Sequence, residues 1–324
     1  MKIAVLGAGH LGRIHLDIIK RMSEYDLVGF YDPDPHLSSK ISEELSVRSF
    51  ESMSSLIDAT EIVDIVTPTL SHFECAKQAL LNHKHVFIEK PVTNTVAEAD
   101  ELLVLAERSD VKVQVGHVER FNPAFIAAKP YINNPLFIET HRLSPFNPRG
   151  TDVSVVLDLM IHDIDILLSL VKSEVKSIHA SGVSIITNSV DIANARIRFN
   201  NGTVASITSS RVAKDKVRKI KLFQENLYST IDLLLEQTEI YTITKEPNLI
   251  PDVLKTEPFT QNNESKLIAY QKPNLEKYDM LGLEIKNFIA SVRGKEEPIV
   301  NGIEARNALD VVIKINNMIL EDLK

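Results

Sequence analysis

The chain has 324 residues, of which 44% are hydrophobic and 25% charged, with a formal net charge of −8. That is the balance of an ordinary folded protein long enough for two domains, and its acidic surplus argues against nucleic acid as a partner. One cysteine, Cys75, rules out an intrachain disulfide, and no apolar run reaches the ~20 residues of a bilayer span; no signal-peptide core is visible at the start, so a soluble, cytoplasmic protein without a membrane partner is expected.

In chain order, residues 3–6 read as a buried strand, 11–23 as a helix with Leu11, Ile14, Ile18 and Ile19 on one face, and 27–31 and 62–67 as strands. A helix through 72–82, a strand at 85–88, a helix at 96–108 and a strand at 111–115 follow, with Cys75 as a small packing residue. Strands alternating with helices imply βαβ units, and apolar runs without polar alternation suit a parallel sheet covered on both faces. After about residue 120 the pattern changes. A strand at 137–143 and a long helix at 154–171 precede strands at 175–184, 192–199, 203–211, 216–224, 228–232 and 239–244. Asn200-Asn201-Gly202 reads as a hairpin turn, and clustered strands imply a mostly antiparallel sheet. Residues 245–273 carry four prolines and no period, and read as a long loop before helices at 279–293 and 303–320.

Gly7-Ala8-Gly9-His10-Leu11-Gly12 follows a strand and opens a helix, the context in which G-x-G-x-x-G binds a dinucleotide. Gly7 permits the turn, Gly9 admits the pyrophosphate, Gly12 lets helix and strand approach, and the first helical N–H groups face the phosphates. Asp32 ends the second strand, where an acid bonds the adenosine ribose and repels a 2′-phosphate, so NAD is expected as cofactor. Asp32 also precedes Pro33 and starts a turn; the two roles are compatible. The expected fold class is α/β: a doubly wound, parallel Rossmann domain over residues 1–120, then an α+β domain over 121–324 with an open, mostly antiparallel sheet.

Thr67-Pro68 with His72, and Glu89-Lys90-Pro91, lie past the carboxyl ends of strands, where such sheets bind ligands. Lys90 has two readings: it polarises a substrate hydroxyl, or it snorkels at a strand end beside Glu89. The Lys90-Pro91 bond admits either isomer. In the helix at 154–171, apolar nearly all round, Asp158, His162, Asp165 and Ser169 form one polar stripe. Asp158 can orient His162 as a general base; an interior Asp–His pair and a metal site are the alternatives, although no third and fourth ligand stand at matching spacing.

Together these segments, with Gly116, Arg120-Phe121-Asn122-Pro123 and Asp158-Leu159-Met160-Ile161-His162, resemble the Gfo/Idh/MocA family of sugar and cyclitol dehydrogenases over essentially the whole chain. The resemblance implies that Lys90 and His162 assist proton removal while hydride passes to NAD, with Asp158 supporting His162, and that the second domain binds substrate and builds a homodimer or homotetramer. Residues 114–124 and 148–165 are similar to the branch acting on UDP-N-acetylglucosamine, which implies a UDP-sugar as the small-molecule substrate. Arg120, Asn122, Arg142 and Arg149 are then candidate substrate contacts, the arginines for its diphosphate; each arginine has an ordinary ion pair as its alternative. Two other readings stand: oxidation of a free sugar or cyclitol, and a non-catalytic NAD-binding regulator, against which the retention of Lys90, Asp158 and His162 argues.

Overall fold

Five apolar runs without polar alternation pair side by side as the parallel sheet of the first of two units. The structure is a computed structural model describing residues 1–148, 153–261 and 264–324. Its first unit comprises Met1–Val118 with Asp279–Asp310, and its second Glu119–Tyr278 with Val311–Lys324. The first runs β1 (Lys2–Leu6), α1 (His10–Lys20), β2 (Asp26–Tyr31), α2 (Pro35–Leu45), α3 (Met53–Ala59), β3 (Ile62–Ile65), α4 (Thr69–Leu81), β4 (His85–Glu89), α5 (Val96–Ser109) and β5 (Val113–Gly116). The strands pair in parallel in the order β2-β1-β3-β4-β5. Local chemistry starts the helices: Asp34 accepts two backbone N–H bonds at the start of α2, and Thr95 and Glu98 form a capping box on α5. Cys75 is a buried thiol.

Helix α1 is turned from its expected orientation. Its buried side is Gly12, His15, Leu16, Ile18 and Ile19, while Leu11 and Ile14 are exposed. The sheet takes the side on which Gly12 allows close approach, and that brings a histidine into the core.

The second unit contains α6 (Pro123–Ala128), β6 (Phe137–Leu143), a π-helical turn Val156–Met160 leading into α7 (Ile161–Leu170), β7 (Val175–Val183), β8 (Ile192–Phe199), β9 (Val204–Ser210), β10 (Val217–Gln224), β11 (Leu227–Asp232), β12 (Gln237–Thr244), β13 (Val253–Gln261) and β14 (Glu264–Gln271). These strands form a sheet in the order β13-β14-β12-β11-β10-β6-β9-β8-β7. Every pairing is antiparallel except β6–β9. Helices α6 and α7 pack on one face. The stretch expected as a loop over 245–273 instead supplies β13 and β14. Most of β13 is exposed, so no apolar period marks it, and Pro258 is tolerated because β13 is the edge strand.

The two last helices are α8 (Met280–Val292) and α9 (Gly302–Asp322). Residues 279–310 were expected with the second domain, yet they belong to the first unit. Ile285, Phe288 and Ile289 join its core, Phe288 packs against Phe87 at 5.8 Å between ring centroids, and the Tyr25 hydroxyl donates to the Ile285 carbonyl at 2.8 Å. The exposed apolar side of one sheet recruits a helix from the far end of the chain, which no local pattern signals.

Ion pairs occupy the interior of the second unit. Arg142 on β6, 3% exposed, donates to Glu119 at 2.9 Å and to both oxygens of Asp163 at 2.9 and 3.1 Å. Arg218 reaches Glu119 at 3.0 Å. Arg120 grips Asp165 at 2.7 and 3.4 Å with both residues buried. Asn122 donates to Glu119 at 3.1 Å and to the Leu233 carbonyl at 3.0 Å, and its side-chain oxygen caps α6 through Ala124 N–H at 3.0 Å. Arg120, Asn122 and Arg142, expected as substrate contacts, thus hold the scaffold; each is buried against groups that would otherwise be orphaned. Asp165 leaves the expected polar stripe for the same reason, and Ser169 donates to the Ile166 carbonyl of its own helix. Arg142→Met should destabilise the protein by roughly 3–5 kcal/mol, because Glu119 and Asp163 lose their shared cation. Calorimetry reads this as a large fall in Tm, and a variant melting with the wild type would return Arg142 to the ligand-binding candidates.

Candidate active site

The carboxyl ends of β1, β2, β3 and β4 open onto a cleft of about 810 Å³ in the first unit. Gly7, Gly9, His10, Leu11, Asp32, Thr67, Pro68, His72, Glu89 and Lys90 line it, and Gly12 underlies it. Gly7 has φ +95°, and a Cβ on it would stand 2.7 Å from the Val66 carbonyl oxygen. A Cβ on Gly12 would stand 2.1 Å from the Gly7 oxygen, whereas Gly9 faces open space. No side chain caps α1 at Gly9, so the N–H groups of its first turn face the cleft as an anion cradle. A backbone-lined cradle open at Gly9 fits the pyrophosphate of a dinucleotide.

Asp32 is also a support for that cradle. Its two oxygens accept Ala8 N–H at 2.8 Å and Asp34 N–H at 3.0 Å, and Gly7 N–H donates to the Tyr31 carbonyl at 2.9 Å. A carboxylate has about four lone-pair sites, so two remain for ribose hydroxyls. His72 contributes from beneath. It is buried, and its nitrogens stand 2.8 Å from the Thr67 and Pro91 carbonyls, stapling the two loops that carry Thr67 and Lys90. Burial lowers its pKa, with those two carbonyls opposing. The Lys90-Pro91 peptide is cis.

Behind Lys90 lies a cluster that sequence reasoning missed. His15 Nδ1 stands 2.8 Å from Asp64 Oδ2, and Nε2 stands 3.3 Å from Glu89 Oε1 in an ionic contact off the hydrogen-bond line. Glu89 Oε2 accepts Lys90 N–H at 3.1 Å. Gly116 makes room for this carboxylate, because a Cβ there would stand 2.8 Å from Glu89 Oε1. Two signals were available: an acid inside the four-residue apolar strand Ile62–Ile65, and a histidine one turn after Gly12. Each needed the other as partner.

In the second unit, Asp158 and His162 are half-buried at the π-helical turn and the start of α7. Ser154 anchors this helix, accepting Leu157 N–H at 3.1 Å through its carbonyl and donating to Asn316 at 2.6 Å. Widened π turns recur at functional positions. Arg149 lies outside the described residues. Among the described residues, no group of three or more His, Cys, Asp or Glu side chains could hold a metal.

Residues 1–117 match the oxidoreductase family with an NAD-binding Rossmann fold, GFO_IDH_MocA, and residues 134–226 match the GFO/IDH/MocA C-terminal domain. The chain is 32% identical over 316 residues to the UDP-N-acetylglucosamine 3-dehydrogenase of Acidithiobacillus ferrooxidans, covering 97% of this chain and 96% of that protein. A solved structure of that enzyme superposes with a TM-score of 0.89 at 30% identity, covering 100% of this chain and 99% of the other. The Myo-inositol 2-dehydrogenase of Thermotoga maritima is 25% identical over 329 residues, 95% of this chain and 93% of that one.

Removing the Asp32 carboxylate deletes a strut of the glycine loop and the negative charge at the end of β2, where the family's fold would set an adenosine ribose. Asp32→Ala should therefore weaken NAD binding and improve NADP relative to NAD, read by fluorescence titration of both cofactors. Wild-type protein that binds both equally tightly would reduce Asp32 to a turn and loop residue.

Proposed function

The chain belongs to the Gfo/Idh/MocA family of NAD-binding oxidoreductases, and from that premise we propose that it oxidises UDP-N-acetylglucosamine at its 3-hydroxyl. It is a dehydrogenase, and the observation that carries the substrate is its likeness, over nearly the full length of both chains, to an enzyme of that name. The diphosphate argument from Arg120 and Arg142 falls away, since both are paired in the interior. In this reading the first unit, Met1–Val118 with Asp279–Asp310, binds the cofactor and the second unit carries the substrate. NAD and nucleotide sugars are cytoplasmic solutes, which favours that compartment; no helix among the described residues is long and apolar enough to cross a membrane.

The reaction breaks a carbinol C–H and an O–H bond. Bound NAD supplies the hydride acceptor. The protein must hold the sugar, exclude water and receive the hydroxyl proton. In our reading Lys90 polarises the hydroxyl and His162 takes its proton, with Asp158 holding the imidazole's orientation. Lys90→Met and His162→Asn should each cut kcat by about 10²–10⁴ while NAD affinity stays nearly unchanged. A panel of nucleotide sugars, free sugars and inositols, followed at NADH absorbance, tests the substrate. Inositol turning over fastest would favour the second reading, a cyclitol dehydrogenase, which the likeness to a Myo-inositol 2-dehydrogenase motivates. No NADH formation from any of them would leave the NAD-binding regulator.

The self-association implied by the family has a candidate surface. Phe137, Phe223, Tyr228, Tyr241 and Tyr270 form a row across five adjacent strands, with ring centroids 4.8–6.0 Å apart. They sit in register on the face opposite α6 and α7, with Phe137 and Phe223 exposed. A contiguous apolar row on an open sheet suits a second copy of the chain, as a homodimer or half of a homotetramer. Tyr228→Asp with Tyr241→Asp should shift sedimentation velocity towards the monomer; an unchanged assembly would remove this face from the interface.

A further inference from the structure

Asp64, His15 and Glu89 lie in a line in the first unit, and the proposed chemistry uses none of their side chains. His15 and Asp64 are fully buried, and Glu89 is 9% exposed and faces the cofactor cleft. The ring is flanked by a carboxylate on each nitrogen, at 2.8 and 3.3 Å. Glu89 is further fixed by Lys90 N–H and by the absence of a side chain at Gly116. Asp32 ends β2 and Glu89 ends β4, and the sheet order sets β1 and β3 between them. Three interstrand steps separate the two carboxylates by about 14 Å, a separation suited to the two halves of a dinucleotide. With Asp32 at the adenosine ribose, the nicotinamide half falls to the Glu89 end.

We infer that His15, anchored by Asp64, is a positioning residue that holds the Glu89 carboxylate at the nicotinamide end of the cleft, where its charge favours the oxidised, cationic cofactor over the reduced, neutral one. The electrostatics of the cluster agree. Burial opposes a charge on His15, but Asp64 first and Glu89 second overcome it and push its pKa up to about 10. Asp64 is itself pushed up by burial, with His15 opposing. Of the two acidic side chains that flank His15, Glu89 is the one that reaches the cleft, in an interior where charge interactions are less screened than in water. Among the described residues, His72 from α4 also acts on this carboxyl group, and Lys90 follows it in the chain. The cluster acts on the cofactor alone, so the inference is independent of which sugar is oxidised.

The test compares NAD⁺ and NADH binding to the full-length protein by fluorescence titration. In His15→Asn the ratio of the NADH to the NAD⁺ dissociation constant should fall about three- to tenfold, as the carboxylate loses its anchor. Glu89→Gln should lower the ratio at least as far, with circular dichroism confirming that each variant is folded. His15→Gln replaces the Asn form if that one does not fold. A merely structural role would weaken both affinities by one factor and leave the ratio fixed. An unchanged ratio in a folded His15 variant, or in Glu89→Gln, overturns the inference.

Discussion

His15 stands between Asp64 and Glu89, and this one imidazole ties together three elements that begin or end at the cofactor cleft. Helix α1 opens at the glycine loop, β3 runs out into the Thr67 loop, and β4 ends at Glu89 and Lys90. An unpartnered polar or ionised group in such an interior is costly, and each of these three side chains supplies a partner for its neighbour. The close approach at Gly12 turns α1 so that His15 faces this pocket, and the two acidic partners make that burial tolerable while Leu11 and Ile14 are left outside.

Backbone room is the companion constraint. A phosphate cradle made of N–H groups works only if no side chain intrudes, and at Gly7 and Gly12 an added methyl would collide with main chain rather than with something that can yield. Gly116 obeys the same rule for a different guest, the Glu89 carboxylate. Asp32 braces the cradle through Ala8 while keeping lone pairs for a ribose. The atoms that stiffen the loop are therefore the same ones that line the cleft.

The second unit answers buried charge in its own way. Arg142 lies between Glu119 and Asp163, and Arg120 is held by Asp165. The basic residues that looked available for a diphosphate are thereby part of the scaffold. Asp158 and His162 are half-buried at a π turn and the start of α7. A polar stripe drawn on an ideal helix could not foresee this, because the pairing of Asp163 and Asp165 depends on arginines brought from other elements.

The sequence by itself determined what is local. The glycine loop, Asp32 at the end of β2, the strands of the parallel sheet and nearly all of the antiparallel strands follow from turn chemistry and side-chain period, which act over a few residues. Tertiary structure alone decided what depends on distant partners. Residues 279–310 joined the first unit because Phe288 completes a core laid down around Phe87. Strand β13 formed at the sheet edge, where exposed residues carry no period, and β14 formed between it and β12, where neighbouring strands supply the hydrogen bonds. His15, Asp64, Glu119 and Asp163 became meaningful only when folding brought opposite charges together, since a buried charge is defined by its partner and the chain does not write partners side by side.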